Sequence, residues 1–291
     1  RALAERGFAR VLAPSRSAIV LRDRAAVDRF FSAERPHYVF MAAAKVGGIV
    51  ANDSYPADFI RDNLEIQTNV IDAAYRAGTR KLCFLGSSCI YPRLAPQPLQ
   101  ESSLLTGPLE PTNQWYAVAK IAGIKMCQAY ALQHGFKAIS VMPTNLYGPG
   151  DNFDLQTSHV LPALLRKFHA ARETGAKDVT VWGSGTPRRE FLFVDDLADA
   201  LCFLMERYDS AEIINVGWGE DVTIAELAEL IAEVVGFRGA LVFDRSKPDG
   251  TPRKLLDVGK IAALGWHPRT RLRDGIRKTY DWYLTDVKRA R

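Results

Sequence analysis

The chain has 291 residues, 47% hydrophobic and 24% charged, with a formal net charge of +5. That composition suits a globular protein with one large core or two smaller ones. It excludes a disordered chain, and no apolar run approaches the ~18 residues of a membrane span. The charge is modest and spread out, so an anionic small substrate accounts for it as well as nucleic acid would.

The first residues, "RALAERG", read as a helix stopped at Gly7. No signal peptide opens the chain. "ARVLA" reads as a strand and "RAAVDRFFSAERP" as a helix. "YVFMAAA" is a continuous apolar run, expected to be a strand buried on both faces. "YPADFIRDNLEIQTNVIDAAYRAG" is a long helix closed by Gly78, and "KLCFLGS" the next buried strand. "NQWYAVAKIAGIKMCQAYALQHG" is another long helix, closed by Gly135. "AISVMPTNLYG" is a strand running into a loop. The β–α alternation predicts an α/β fold with a Rossmann-like, doubly wound parallel sheet.

After Pro149 the pattern is less regular. "SHVLPALLRKFHAARE" reads as a helix, "DVTVWG" as a short strand, and "REFLFVDDLADALCFLMER" as a strand leading into a helix. "EIINVG" is a strand, "TIAELAELIAEVVG" a helix starting at Thr223, and "DRSKPDGTPRKLLD" a polar, basic loop. The expected division is a dinucleotide-binding domain over 1–148, with returns around 193–217, and a smaller substrate lobe over 149–291. No internal repeat or low-complexity linker interrupts it.

The four cysteines, Cys83, Cys89, Cys127 and Cys202, form no C-x-x-C pair and no metal-ligand spacing. They read as reduced thiols of a cytoplasmic protein, with no metal. Cys89 stands where the buried strand "KLCFL" opens into "GSSCIYP". Packing alone would account for it, but a thiol at a strand's carboxyl end can also reach a ligand.

Tyr116 and Lys120 lie four apart on one helix and share a face. A lysine ammonium near a phenol is expected to lower its pKa from about 10. Such a tyrosine can donate a proton to a carbonyl under reduction. Y-x-x-x-K alone is a weak signal. Ser87 and Ser88 at the end of the preceding strand strengthen it, since a hydroxyl there can polarise the same carbonyl. The end of "VLAPSR" carries Ser15 and Arg16 where an acidic residue would grip the ribose 2′-hydroxyl of NAD. Arginine suits a 2′-phosphate, so NADP(H) is the expected cofactor.

Ser87, Tyr116 and Lys120 resemble the Ser–Tyr–Lys set of the extended short-chain dehydrogenase/reductase family. "AAAKVGGIVAN", "FLGSSCIYP", "LEPTNQWYAVAKIAG", "VMPTNLYGPGDNF", "SHVLPALLRKFH", "VWGSGTPRREFLFVDD" and "SKPDGTPRKLLD", in this order, are similar to its GDP-sugar 3,5-epimerase–4-reductase branch. The resemblance runs from about Arg16 to the final helix. It implies that GDP-4-keto-6-deoxy-D-mannose is epimerised at C3 and C5 and then reduced by NADPH at C4, giving GDP-L-fucose. It gives catalytic roles to Ser87, Cys89, Tyr116, Lys120 and His159, with Cys89 and His159 exchanging the C3 and C5 protons. It places Arg16, Ala43, Ala44, Lys120, Pro143, Asn145, Leu146 and His159 at the cofactor. It places Asn145, Val160, Leu164, Lys167, Trp182, Arg189 and Lys254 at the substrate. It implies a homodimer through a four-helix bundle, with neither nucleic acid nor membrane as partner.

The chain departs from that branch at three places. Lys167 stands where a second arginine is expected, which leaves Arg166 as a candidate to share its task. Trp115 is larger than the residue expected before the tyrosine, and either crowds the site or caps the helix. No G-x-x-G-x-x-G occurs near the start, where it would bind a pyrophosphate at a helix N-terminus. The chain is therefore expected to be a piece of a longer polypeptide, marginal in stability and weak in NADPH binding. Two other readings stay open: a related sugar-nucleotide epimerase or dehydratase, which does not need Cys89 and His159, and a non-catalytic nucleotide-sugar-binding relative.

Overall fold

A computed structural model of the chain describes residues 1–155, 157–247 and 249–287. Its elements, in order, are α1 (Ala2–Glu5), α2 (Arg24–Glu34), β1 (Tyr38–Met41), α3 (Ile49–Ser54), α4 (Pro56–Arg76), β2 (Lys81–Leu85) and α5 (Gln114–His134). Then come β3 (Ala138–Pro143), β4 (Asn145–Tyr147), α6 (Val160–Thr174), β5 (Asp178–Trp182), β6 (Arg188–Phe193), α7 (Val194–Arg207) and β7 (Ile213–Val216). The chain continues through β8 (Asp221–Thr223), α8 (Ile224–Val235), β9 (Ala240–Asp244), β10 (Arg253–Lys254), α9 (Gly259–Ala263) and α10 (Leu272–Trp282).

Four strands form a parallel sheet in the order β1-β2-β3-β7. The strands β2, β3 and β7 are apolar because helices cover both faces: Leu82, Cys83, Phe84, Val141, Met142, Ile214 and Val216 are wholly buried. A second sheet runs β10-β6-β4, with β8 antiparallel to β6, and β5 pairs with β9. The second sheet packs with α6, α8 and α10 around Leu165, Phe168, Leu227, Ile231 and Ile276. The expected strand "AISVMPTNLYG" is two strands. It breaks at Thr144, where β3 leaves the first sheet and β4 joins the second. That break sends the chain from one sheet to the other at the carboxyl ends of the parallel strands, where ligands of such sheets bind.

The helices stop where the sequence says they should. Gly78 and Gly135 adopt φ of 77° and 65° after α4 and α5, and Thr223 forms a full capping box with Glu226 at the start of α8. The edge of the first sheet differs from expectation. "ARVLA" forms no strand, because no ladder joins it to β1; a cavity of about 1930 Å³ is lined by both. β1 is consequently an edge strand and not buried on both faces: Tyr38 is 47% exposed, and only Met41 of its four residues is buried. The loop "DRSKPDGTPRKLLD" contains β10, and Pro248 within it lies outside the described residues. No described helix is long and apolar enough to cross a membrane.

Candidate active site

β2 ends at Leu85, and the chain turns through Gly86 into Ser87, whose extended backbone (φ −162°, ψ 149°) caps a short 3₁₀ turn over Ser88–Ile90. The Ser87 Oγ accepts the Cys89 N–H at 3.2 Å, so cap and thiol are fixed together. α5 packs along α4 and against this turn and presents Tyr116 and Lys120 one helical turn apart. Lys120 is buried; its Nζ donates to the Leu85 carbonyl at 2.7 Å and sits 4.9 Å over the Phe84 ring and 5.8 Å over the Tyr116 ring.

The charges do not fall as Y-x-x-x-K spacing alone suggests. Tyr116 has its pKa raised, not lowered: burial pushes it up, Cys89 adds to the rise, and the hydrogen bond with Ser87 works the other way. Lys120 does not offset this rise, and its own pKa is lowered. Burial brings it from 10.5 to about 8.

Cys89 meets residues from the other sheet. β10 pairs with β6 in a register that sets Lys254 opposite Arg189. The Lys254 Nζ reaches the Cys89 Sγ at 3.4 Å. His159 is the N-cap of α6 but makes no capping hydrogen bond. It opens to solvent on one side, yet protein crowded around its ring, together with the Lys254 ammonium, holds its pKa below the ordinary histidine value. Arg189 feels both Cys89 and Asp249, and burial lowers its pKa. Ser87, Cys89, Tyr116, Lys120, His159, Arg189 and Lys254 are thus coupled across the two sheets.

The remaining expected residues form two outlying groups. Lys167 stands 4.9 Å over the exposed Trp182 ring and donates to the Thr180 carbonyl, while Arg166 is turned to the Phe153 carbonyl. The flat aromatic with an ammonium on it therefore involves Lys167 and not Arg166. Val160 begins α6, and Leu164 is buried in the core at its side. Asn145 donates to the Glu190 carbonyl at 2.8 Å, Pro143 is buried at the end of β3, and Leu146 packs in the core beside β6. The N-cap of α5 is Asn113, so Trp115, 42% exposed, does not cap the helix.

Arg16, Ala43 and Ala44 line the large cavity beside β1, away from the thiol end. This cavity fits a dinucleotide bearing a 2′-phosphate. The chain after β1 offers only methyl side chains at Ala42, Ala43 and Ala44, leaving the backbone open to close approach, and Ser15–Arg16 supplies a cation with no acid beside it. At the thiol end the space is far smaller, about 10 Å³, lined by Cys89, Asn113 and Lys254 among others. Among the described residues no cluster of three or more His, Cys, Asp or Glu could hold a metal ion.

Sequence reasoning missed three residues. Asn113 donates its Nδ2–H to the Cys89 Sγ at 3.4 Å; its place three residues before Tyr116 was the available signal. Lys247 lies 5.6 Å from the Trp182 ring, which Lys167 also approaches. Glu190, next to Arg189, is wholly buried and accepts the N–H groups of Gly219 (2.7 Å) and of Leu256 (3.0 Å), two residues beyond Lys254. A Cβ on Gly217 would fall 2.1 Å from its Oε1, so glycine is needed there. Burial raises the Glu190 pKa, and its hydrogen bonds hold it down in part.

A family model, the NAD dependent epimerase/dehydratase family, matches residues 1–217. The chain is 62% identical over 287 residues to GDP-L-fucose synthase 1 of Arabidopsis thaliana, covering 99% of this chain and 89% of that protein. It is 55% identical over 300 residues to the GDP-L-fucose synthase of Escherichia coli K12, covering 100% and 94%. The crystal structure of an NADP-bound GDP-L-fucose synthetase from Naegleria fowleri superposes with a TM-score of 0.91 at 31% identity, covering 98% of this chain and 89% of that one.

Proposed function

The chain belongs to the NAD dependent epimerase/dehydratase family and, within it, to the GDP-L-fucose synthases, and from that premise we propose how its residues divide the work. It is an NADP(H)-dependent epimerase and oxidoreductase. It converts GDP-4-keto-6-deoxy-D-mannose to GDP-L-fucose by inversion at C3 and C5 and reduction at C4.

In this reading the Ser87 and Tyr116 hydroxyls bind the C4 carbonyl oxygen. Removal of a proton from C3 or C5 then leaves an enolate whose charge rests on an oxygen with two donors aimed at it. Cys89 and His159 exchange those protons, one on each face of the sugar. Tyr116 keeps its proton until C4 is reduced and then gives it to the C4 oxygen. When bound, NADPH supplies the hydride for C4. Lys120 holds the nicotinamide ribose, Ala43, Ala44, Pro143, Asn145, Leu146 and His159 line the cofactor, and Arg16 meets its 2′-phosphate. Lys167, Trp182, Arg189 and Lys254 hold the GDP-sugar, with Asn145, Val160 and Leu164 shaping its bed. The cofactor side is thus built from 1–148 with 193–217, and the substrate side from 149–291.

The observation that carries the reading is the 3.4 Å contact of Lys254 with the Cys89 sulfur beside the Ser87–Tyr116–Lys120 set, with His159 within the field of the same ammonium. A simple reductase or 4-epimerase has no use for a thiol and an imidazole there. Mixing the protein with NADPH and GDP-4-keto-6-deoxy-D-mannose tests it. Loss of the reduced-nicotinamide absorbance and a product with the L-fucose configuration by NMR are expected. NADPH consumption without inversion, or neither, overturns it.

The same reading makes the protein a cytoplasmic homodimer. All four cysteines are free thiols, as a reducing compartment allows. α5 leaves Trp115, Val118 and Leu132 exposed, and an apolar helix face of this kind takes a partner. We place the dimer contact on α4 and α5, four helices meeting across a twofold axis. Sedimentation at micromolar concentration is expected to give twice the chain mass, and a monomer there overturns it.

A further inference from the structure

We propose that Asn113 is a positioning residue for the proton-exchange half of the reaction: its amide N–H, together with Lys254, fixes the Cys89 sulfur as a hydrogen-bond acceptor. The proposal rests on the reading of Cys89 as the group that exchanges protons with the sugar.

The first observation is that Asn113 is not doing what its place predicts. It is the N-cap of α5 (φ −123°, ψ 10°), and asparagine at an N-cap ordinarily accepts a backbone N–H from the first turn. Here it makes no side-chain capping bond. Its Nδ2 instead donates to the Cys89 Sγ at 3.4 Å. Its Oδ1 is buried with no hydrogen-bond partner, so the contact with sulfur is what orients the amide.

The second is the support beneath it. The Glu110 carboxylate accepts the backbone N–H of Asn113 at 3.2 Å and that of Thr112 at 3.0 Å, and also the Thr112 hydroxyl. The turn that carries Asn113 is therefore held from below, and the amide is aimed by a fixed backbone.

The third is the sulfur's own surroundings. Two N–H donors, one of them cationic, converge on it at 3.4 Å each. A thiol satisfies two donors poorly, whereas a thiolate satisfies both. Around it stand Lys254 and Arg189 from β10 and β6 and Tyr116 from α5; Glu110, Arg93 and Arg253 line the adjoining pocket. The other three thiols are buried, and burial raises the pKa of each. Cys89 alone is placed to take a proton. In the exchange step its sulfur takes the proton from the sugar carbon and becomes S–H, and the electron pair of the broken C–H bond passes to the enolate.

The test reads the thiol directly, without substrate. Iodoacetamide alkylation of Cys89 is followed against pH in the full chain, with the site identified by peptide mass. In Asn113→Ala the midpoint is expected to rise by about one pH unit, a tenfold loss of thiolate near neutrality. In the nearly isosteric Asn113→Asp, which replaces the donor with a negative charge, it is expected to rise further. Deuterium exchange at C3 and C5 should fall with it at pH 7 and recover at higher pH. Because the amide does not cap α5, the melting temperature of Asn113→Ala should stay close to the parent's. An unmoved alkylation midpoint in both variants overturns the proposal, above all if the melting temperature falls, since Asn113 would then be an ordinary cap. A shifted midpoint with unchanged deuterium exchange keeps the role of Asn113 toward the sulfur and refutes the role of Cys89 in exchange.

Discussion

Replacing Lys120 with methionine should disable the enzyme and stabilise the fold. The ammonium is buried under Phe84 and Tyr116, and burial alone brings its pKa from 10.5 to about 8. At about 1.4 kcal/mol per unit, the folded state therefore carries about 3 kcal/mol of destabilisation while the lysine is charged. The unfolded chain keeps its proton up to pH 10.5, and the folded chain releases it near pH 8. Between those values the unfolded state binds more protons, so stability rises with pH. Below pH 8 the penalty is fully present. Methionine keeps the length and apolar stem, removes the charge, and leaves the Leu85 carbonyl without its 2.7 Å donor, a loss of roughly 1–3 kcal/mol. The advantage of the variant over the parent, read from urea midpoints, should accordingly shrink by about 2 kcal/mol between pH 7.5 and pH 9.5, as the parent sheds its buried charge. Reduction at C4 should fall on the order of 10²-fold in the same variant. Parallel stability profiles for the two proteins across that window would refute the reasoning, because they would mean that Lys120 is neutral, or solvated, when folded.

Removing the thiol should separate the half-reactions. In Cys89→Ala, solvent deuterium incorporation at C3 and C5, watched by NMR, is expected to drop 10²–10⁴-fold while NADPH is still consumed; exchange at the parent rate would mean that the sulfur only packs. Glu190→Ala strands the Gly219 and Leu256 N–H groups at roughly 1–3 kcal/mol each. A fall in stability of that combined size is expected by denaturant melting, with Glu190→Gln intermediate because one acceptor remains. Trp182→Ala removes the ring that the Lys167 and Lys247 ammoniums approach. KM for the GDP-sugar should rise roughly tenfold with kcat little changed, and a fall in kcat at constant KM would place Trp182 nearer the reacting carbons than the geometry does.

Much of this was legible because local physics and fold agree. Gly78 and Gly135 stop α4 and α5 in the left-handed conformation their sequence positions demand, and Thr223 with Glu226 announces α8 three residues apart. The strands β2, β3 and β7 are readable as apolar runs because they are covered on both faces. "YVFMAAA" misleads for the same reason in reverse: an apolar run signals burial, but burial depends on covering segments that the run itself does not encode, and β1, unlike the other end strand β7, is left partly uncovered. The break at Thr144 is likewise invisible, since β3 and β4 are equally apolar and only their pairing partners differ. In the site, Tyr116 and Lys120 announce themselves by spacing, whereas Asn113, Glu190 and Lys247 reach it through pairings between distant segments.

The electrostatics explain why one pocket can run two kinds of proton chemistry. Groups whose environments push their affinities apart take different roles. Tyr116 is withdrawn from water and has its pKa raised, so it is a protonated donor throughout the neutral range and cannot serve as the base that strips C3 or C5. Cys89, a few ångströms away in the same fold, faces an amide donor and an ammonium, and can. Lys120 sits between these regimes at about 8: charged enough at neutral pH to favour negative charge building on the substrate oxygen, yet too desolvated to pull the Tyr116 proton away before the hydride arrives. His159, kept below the ordinary histidine value beside Lys254, is neutral at pH 7 and must first accept a proton before it can return one. The lysine that donates to the thiol thus also adds, after burial, to the lowering of its partner's pKa. The loss of Lys254 should slow both inversions together, whereas the loss of Lys120 should slow every step that builds charge on the C4 oxygen, the inversions as well as the reduction.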